Sequence, residues 1–151
     1  MKNQINFKTI YYPLFVLFIL LNSNLVVAQQ TNAEKIVGSW VFEAEASFSS
    51  MNKKASDFMN KNPQLKLQIQ SAYIGKTITF LSNGNYSQTL GDGAKSSGQW
   101  KLNGSTVLIA APDGAVFSYN FNLSNTNLLL TAVHEQGKSV SIVPNQYFIK
   151  I

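Results

Sequence analysis

The chain has 151 residues, 45% of them hydrophobic and 13% charged, with a formal net charge of +5 and no cysteine. That composition excludes a disulfide framework, a thiolate metal site and a lipid-bearing cysteine. The basic residues are all lysine and are scattered, so they read as solvated faces; a nucleic-acid surface clusters its positive charge and uses arginine.

Met1 to about Ala28 has the three parts of an export signal. Lys2 and Lys8 form a positive start, Leu14 to Leu21 an apolar run, and Val26-Val27-Ala28 a small-residue cleavage site before polar Gln29-Gln30. Asn22, Ser23 and Asn24 end the apolar run far short of the ~20 residues that cross a bilayer. The expectation is an exported protein, periplasmic or secreted, with no stable membrane anchor after cleavage. The loss of Lys2 and Lys8 leaves 12 − 2 = 10 basic against 7 acidic residues, or +3. Residues 29–36 read as a linker and 37–151 as one domain. Without disulfides that domain must rest on its hydrophobic core.

From Val37 the pattern alternates. Trp40, Phe42, Ala44, Ala46 and Phe48 share one face, with Glu43, Glu45 and Ser47 opposite, which predicts one long strand. Residues 51–75 predict a helical insert, with a short helix over Met51–Asn60 and a second one after it. Asn62 suits the second N-cap, Pro63 its first turn and Gly75 its stop, and Leu65, Ile69 and Tyr73 fall on one face. Strands separated by tight turns follow: Lys76–Leu81, Tyr86–Leu90, Gln99–Leu102, Thr106–Ala111, Val116–Leu123, Leu128–Val133, and Ser139–Val143 with Gln146–Ile151 broken at Pro144. Asn83-Gly84 predicts a type I′ turn, with both residues at positive φ. Asn103-Gly104, Pro112-Asp113-Gly114, Ser124–Asn127 and Glu135-Gln136-Gly137 are the other turns, and Gly91 to Gly98 reads as a glycine-rich loop. Some eight antiparallel strands predict an up-and-down barrel or a sandwich. Closure would pair the last strand with the first and remove the exposed edges.

Gly38-Ser39-Trp40 at the start of the first strand resembles the Gly-x-Trp opening of lipocalins. The runs Lys76 to Tyr86, Ser97 to Leu108 and Leu128 to Leu130 resemble the lipocalin-like domains of exported Bacteroidetes-type proteins. The resemblance implies an eight-stranded antiparallel lipocalin-like barrel. It also implies an arginine near the final strand, packed on the opening tryptophan, but the chain contains no arginine. By chain parity, the helical insert and the loops at 91–98, 112–114 and 135–137 share one end of the barrel, where a capped mouth would lie.

No constellation here calls for catalysis, a metal or a cofactor, and the expectation is a protein that is not an enzyme. His134 is the single histidine, next to Glu135 in a turn, where a metal needs several converging ligands. Glu43 and Glu45 read as a solvated strand face, and Asp92 and Asp113 as turn residues that accept local backbone bonds. Trp40 and Trp100, each behind a Gly-x pair, read as core. Phe42, Phe80, Tyr86, Phe117, Tyr119 and Phe121 could line an interior cavity, since an eight-stranded barrel either fills with side chains or holds one small ligand. The leading expectation is a small hydrophobic or amphipathic molecule bound at the mouth by Phe58, Met59, Ile69, Tyr73, Tyr86, Phe117 and Tyr119. The alternative is a solid-cored module that binds another protein of the cell envelope.

Overall fold

The computed structural model describes residues 32–133 and 141–151. Eight antiparallel strands close into an up-and-down barrel in sequence order. They are β1 (Gly38–Phe42), β2 (Thr77–Phe80), β3 (Asn85–Thr89), β4 (Lys95–Asn103), β5 (Thr106–Ala110), β6 (Val116–Leu123), β7 (Asn127–Ala132) and β8 (Asn145–Lys150). Between β1 and β2 lie three helices, α1 (Ala44–Ser49), α2 (Lys53–Lys61) and α3 (Pro63–Tyr73). β1 pairs with both β2 and β8, with Trp40 opposite Ile78 on one side and Lys150 on the other. Among the described residues no strand is left as an edge, which removes the template for intermolecular pairing.

The first strand is shorter than its alternation predicts. It stops at Phe42, and Ala44, Ala46 and Phe48 belong to α1. The cause is Glu43, whose carboxylate accepts from the backbone N–H groups of Glu45 (3.2 Å) and Ala46 (2.6 Å). That cap satisfies donors which a new helix leaves open. Ala44 and Phe48 stand four residues apart, so a helix brings both against the core as a strand would. Glu43 and Glu45 are therefore a helix start and not an outward strand face. Asn62 stands at the expected N-cap position of α3, directly before Pro63. Its side chain does not cap α3 but donates back to the Phe58 carbonyl at 2.7 Å and closes α2.

The Asn83-Gly84 turn is not type I′, because only Gly84 takes positive φ (84°). Gly84 N–H donates to Leu81 O at 3.0 Å and Leu81 N–H to Asn85 O at 2.9 Å, which is a three-residue hairpin with a glycine bulge. Asn83 keeps a negative φ and accepts the Asn85 N–H on its side chain at 3.1 Å. The same turn recurs at residues 90–94 and 111–115, with Asp92 and Asp113 accepting from Ala94 and Ala115, each at 3.0 Å. The loop expected over 91–98 is thus only this turn, and Lys95 already begins β4. The last strand starts at Asn145. Residues 141–143 lead into it without joining the sheet, and 139–140 lie outside the described residues, as do the expected turn at 135–137, His134 and the expected export signal.

The barrel fills unevenly along its axis. At the base, where β1 begins and β8 ends, Trp40, Phe80, Leu128, Val107 and Phe148 are fully or almost fully buried. Residues 32–36, expected as linker, form a helical turn there, and Ile36 is fully buried. Trp40 Nε1 donates to the Ile36 carbonyl at 2.8 Å. Lys150 Nζ lies 5.1 Å from the Trp40 ring centroid and donates to the Lys35 carbonyl at 3.1 Å. A lysine on the final strand thus packs its charge on the opening tryptophan. Trp100 is also core, donating from Nε1 to the Leu81 carbonyl at 2.9 Å.

Candidate functional site: a polar cavity at the barrel mouth

The opposite end, which carries the insert and the turns at 90–94 and 111–115, is hollow. A cavity of ≈ 1310 Å³ opens there. Its walls come from α3, Lys76 just before β2, then β3, β4, β5, β6, the end of β7 and the start of β8. Strand alternation puts every second side chain into this space. On β3 these are Tyr86 and Gln88, on β6 Phe117 and Tyr119, and on β8 Gln146. Leu90, Ile109, Pro112, Val116 and Val133 add apolar surface, and Ser96, Ser97, Ser118 and Ser141 add hydroxyls.

Three tyrosines converge from different elements: Tyr73 from the last turn of α3, Tyr86 from β3 and Tyr119 from β6. Burial raises the ionisation of each above the ordinary value of 10. For Tyr73 a hydrogen bond with Ser141 partly opposes that rise. Mutual repulsion adds to it for the other two, because charge on Tyr119 would disfavour charge on Tyr86, and charge on Tyr73 would disfavour it on Tyr119. All three are neutral phenols at ordinary pH. Tyr86 spends its proton on Gln88 Oε1 at 3.0 Å.

Lys76 joins them. The sequence reads it as one more solvated lysine, but it is 7% exposed. Its backbone carbonyl accepts from Phe42 and its N–H donates to the Tyr73 carbonyl, which pins it between the end of α3 and β1. Its ammonium donates to Gln146 Oε1 at 2.9 Å and lies 5.1 Å from the Tyr73 ring centroid and 5.8 Å from that of Phe148. Burial lowers its pKa from 10.5 to about 8. The one ion pair among the described residues is far from it, between Lys53 and Asp57 on α2. Among the described residues no three His, Cys, Asp or Glu side chains group as a metal would need.

The cavity brings together four of the seven residues named from the sequence: Tyr73, Tyr86, Phe117 and Tyr119. Phe58 does not reach it and is 50% exposed on α2. Met59 is buried and Ile69 packs against the core, but neither lines the cavity. Phe42 and Phe80 are core, and Phe121 packs against it. The polar lining, above all Lys76, Gln88 and Gln146, is absent from the sequence reading. The available signal was parity: Gln88 stands two residues after Tyr86 and Gln146 two before Phe148, each on the inward face.

Fold and site together define the class: a closed eight-stranded antiparallel barrel, packed at its base and open to a mixed polar and apolar cavity at its mouth. Among solved structures it is similar to the crystal structure of a DUF4847 family protein from Bacteroides vulgatus, with 18% identity over 76% of this chain and 92% of that one and a TM-score of 0.41. No family model matches the sequence, and no curated protein matches it.

Proposed function

We propose that the protein is an exported, non-enzymatic, lipocalin-like carrier that binds a small amphipathic molecule at the barrel mouth. The observation that carries this reading is the ≈ 1310 Å³ cavity, above the 300–1,000 Å³ usual for small-molecule pockets. Its lining suits an amphiphile. Ile109, Val116 and Phe117 offer apolar wall, while phenols, amides and an ammonium offer directed hydrogen bonds. Asp113, the one carboxylate on the described lining, is engaged with Ala115 N–H in its turn. The Lys150–Trp40 stack at the base supports the lipocalin-like assignment. Export rests on the first 28 residues, and intact mass of the protein recovered from the envelope or medium should place its new N-terminus near Gln29.

The test is a thermal-shift panel of amphiphiles and matched polar metabolites on the purified protein. A true ligand at a hundred times its Kd adds about 2.7 kcal/mol to apparent stability, a shift of several degrees. A flat panel across all chain lengths and head groups would sink the reading.

A further inference from the structure

We propose that the ligand is a singly charged amphipathic anion, a carboxylate, whose head docks on Lys76 while its apolar body lies against Ile109 and Phe117 across the barrel. This rests on the binding reading above and narrows it to one chemistry.

Lys76 is a buried cation facing a cavity, and the described protein supplies it no counter-charge. An ammonium has three protons to give. Gln146 Oε1 takes one, and the Tyr73 and Phe148 rings lie beside the head. The chain has seven acids, of which six (Glu34, Glu43, Glu45, Asp57, Asp92 and Asp113) are described. None of the six pairs with Lys76. The seventh, Glu135, lies outside the described residues. Burying a lone charge is costly, and a bound anion would offset that cost while using the two remaining protons. Strand β2, which Lys76 precedes, stands four places from β6 in the ring of eight, and Lys76 and Phe117 both line the cavity. One cation balances one negative charge, which favours a carboxylate over a doubly charged phosphate monoester. Nothing forms or breaks covalently.

The experiment is calorimetric titration of the protein, expressed with its own N-terminal segment, using decanoate, decanol and decyl phosphate. At pH 7 decanoate should bind about tenfold tighter than decanol and no weaker than decyl phosphate, from the strength of a charge-assisted hydrogen bond. Lys76→Met should abolish the preference for decanoate and keep decanol binding. In the wild type the preference should narrow at pH 10. The groups facing Lys76 in the cavity are Tyr73 on α3, Tyr86 on β3, Tyr119 on β6, the amides of Gln88 and Gln146, and Asp113 at the rim. Since burial holds all three phenols above 10, Lys76 is the group that loses its charge between pH 7 and 10. Equal affinity for decanoate and decanol in the wild type would overturn the proposal, as would a preference that survives Lys76→Met or emerges only in Glu135→Gln. If none of the three probes binds, the carrier reading fails with it, whereas decanol binding without preference removes only the head-group assignment. The pH series needs no variant, so a poorly folding Lys76→Met leaves the proposal exposed to test.

Discussion

At the residue scale, a buried lysine makes stability depend on pH in an unusual direction. A lysine whose folded pKa lies below its unfolded value is disfavoured by folding while charged. Between about 8 and 10.5 the unfolded chain holds the proton and the folded chain does not, so stability rises with pH across that window. The full difference corresponds to on the order of 3 kcal/mol, from 1.36 kcal/mol per unit. The phenols act in the opposite sense. Their folded pKa values are raised, so above 10 the unfolded chain loses protons that the folded chain keeps, and stability falls. Urea unfolding of the ligand-free protein should therefore give a maximum near pH 10, and Lys76→Met should flatten the rise below it. A profile that declines steadily from pH 7 in the wild type would contradict the burial of a charged Lys76. Gly91 makes a second prediction at this scale. Its N–H donates to the Ala72 carbonyl at 2.8 Å, and a Cβ there would overlap the carbonyl oxygens of Ile74 and Ser71. Backbone cannot yield as a side-chain tip can, so Gly91→Ala should cost about 1–3 kcal/mol in chemical denaturation and loosen the clip between the β3–β4 turn and α3.

At the element scale, the insert is held by polar threads as much as by apolar contact. Ser47 is fully buried on α1; its hydroxyl donates to the Glu43 carbonyl at 2.6 Å and accepts the Tyr147 N–H at 2.9 Å. That second bond ties α1 to β8, across 100 residues of sequence. Ser47→Ala leaves a buried N–H unpaired and should destabilise by about 1–3 kcal/mol, with faster amide exchange at Tyr147 than elsewhere in β8. Ser47→Ala at wild-type stability would show that the thread carries nothing. The difficulty of reading this region from sequence has the same source. Val37 to Phe48 alternates, and alternation predicts a strand. Glu43 can serve equally as an outward strand residue or as a cap, and only the bonds it makes in three dimensions decide. The later strands were legible because turn residues mark them: glycine allows the positive φ that four of the hairpin turns use, and Ser124 bonds back to Asn127 at the turn that has none. The turn type was not, since Asn83 could meet its bonding need with its side chain instead of its backbone. The cavity lining was half legible. In a barrel whose apolar face is its interior, aromatic residues at period two point inward, so Tyr86, Phe117 and Tyr119 followed from the fold. Lys76 sits just before β2, where exposure depends on how α3 ends, and sequence pattern carries no information on that.

At the scale of the whole molecule, the interior is divided between two uses. A domain without disulfides needs a packed core, and a cavity needs unfilled space. The barrel meets both demands by separating them along its axis. Large apolar side chains and Ile36 fill the base, while polar groups and short serines line the mouth. The separation predicts a gradient in the cost of truncation. Leu128, near the start of β7, is 1% exposed and lies in the packed core; Leu128→Ala should cost about 2–5 kcal/mol, the usual penalty for a cavity in a filled interior. Phe117, near the start of β6, is 50% exposed on the cavity wall; Phe117→Ala removes a larger side chain, yet its ring already borders open space, and the cost should stay below about 1 kcal/mol. Ligand affinity should show the reverse order, with decanol binding weakened several-fold by Phe117→Ala and unchanged by Leu128→Ala at temperatures where both remain folded. Urea midpoints and titrations on the two variants measure both gradients. Similar stability losses at the two positions would mean that the mouth carries as much of the folding energy as the base, and that the axial division is wrong.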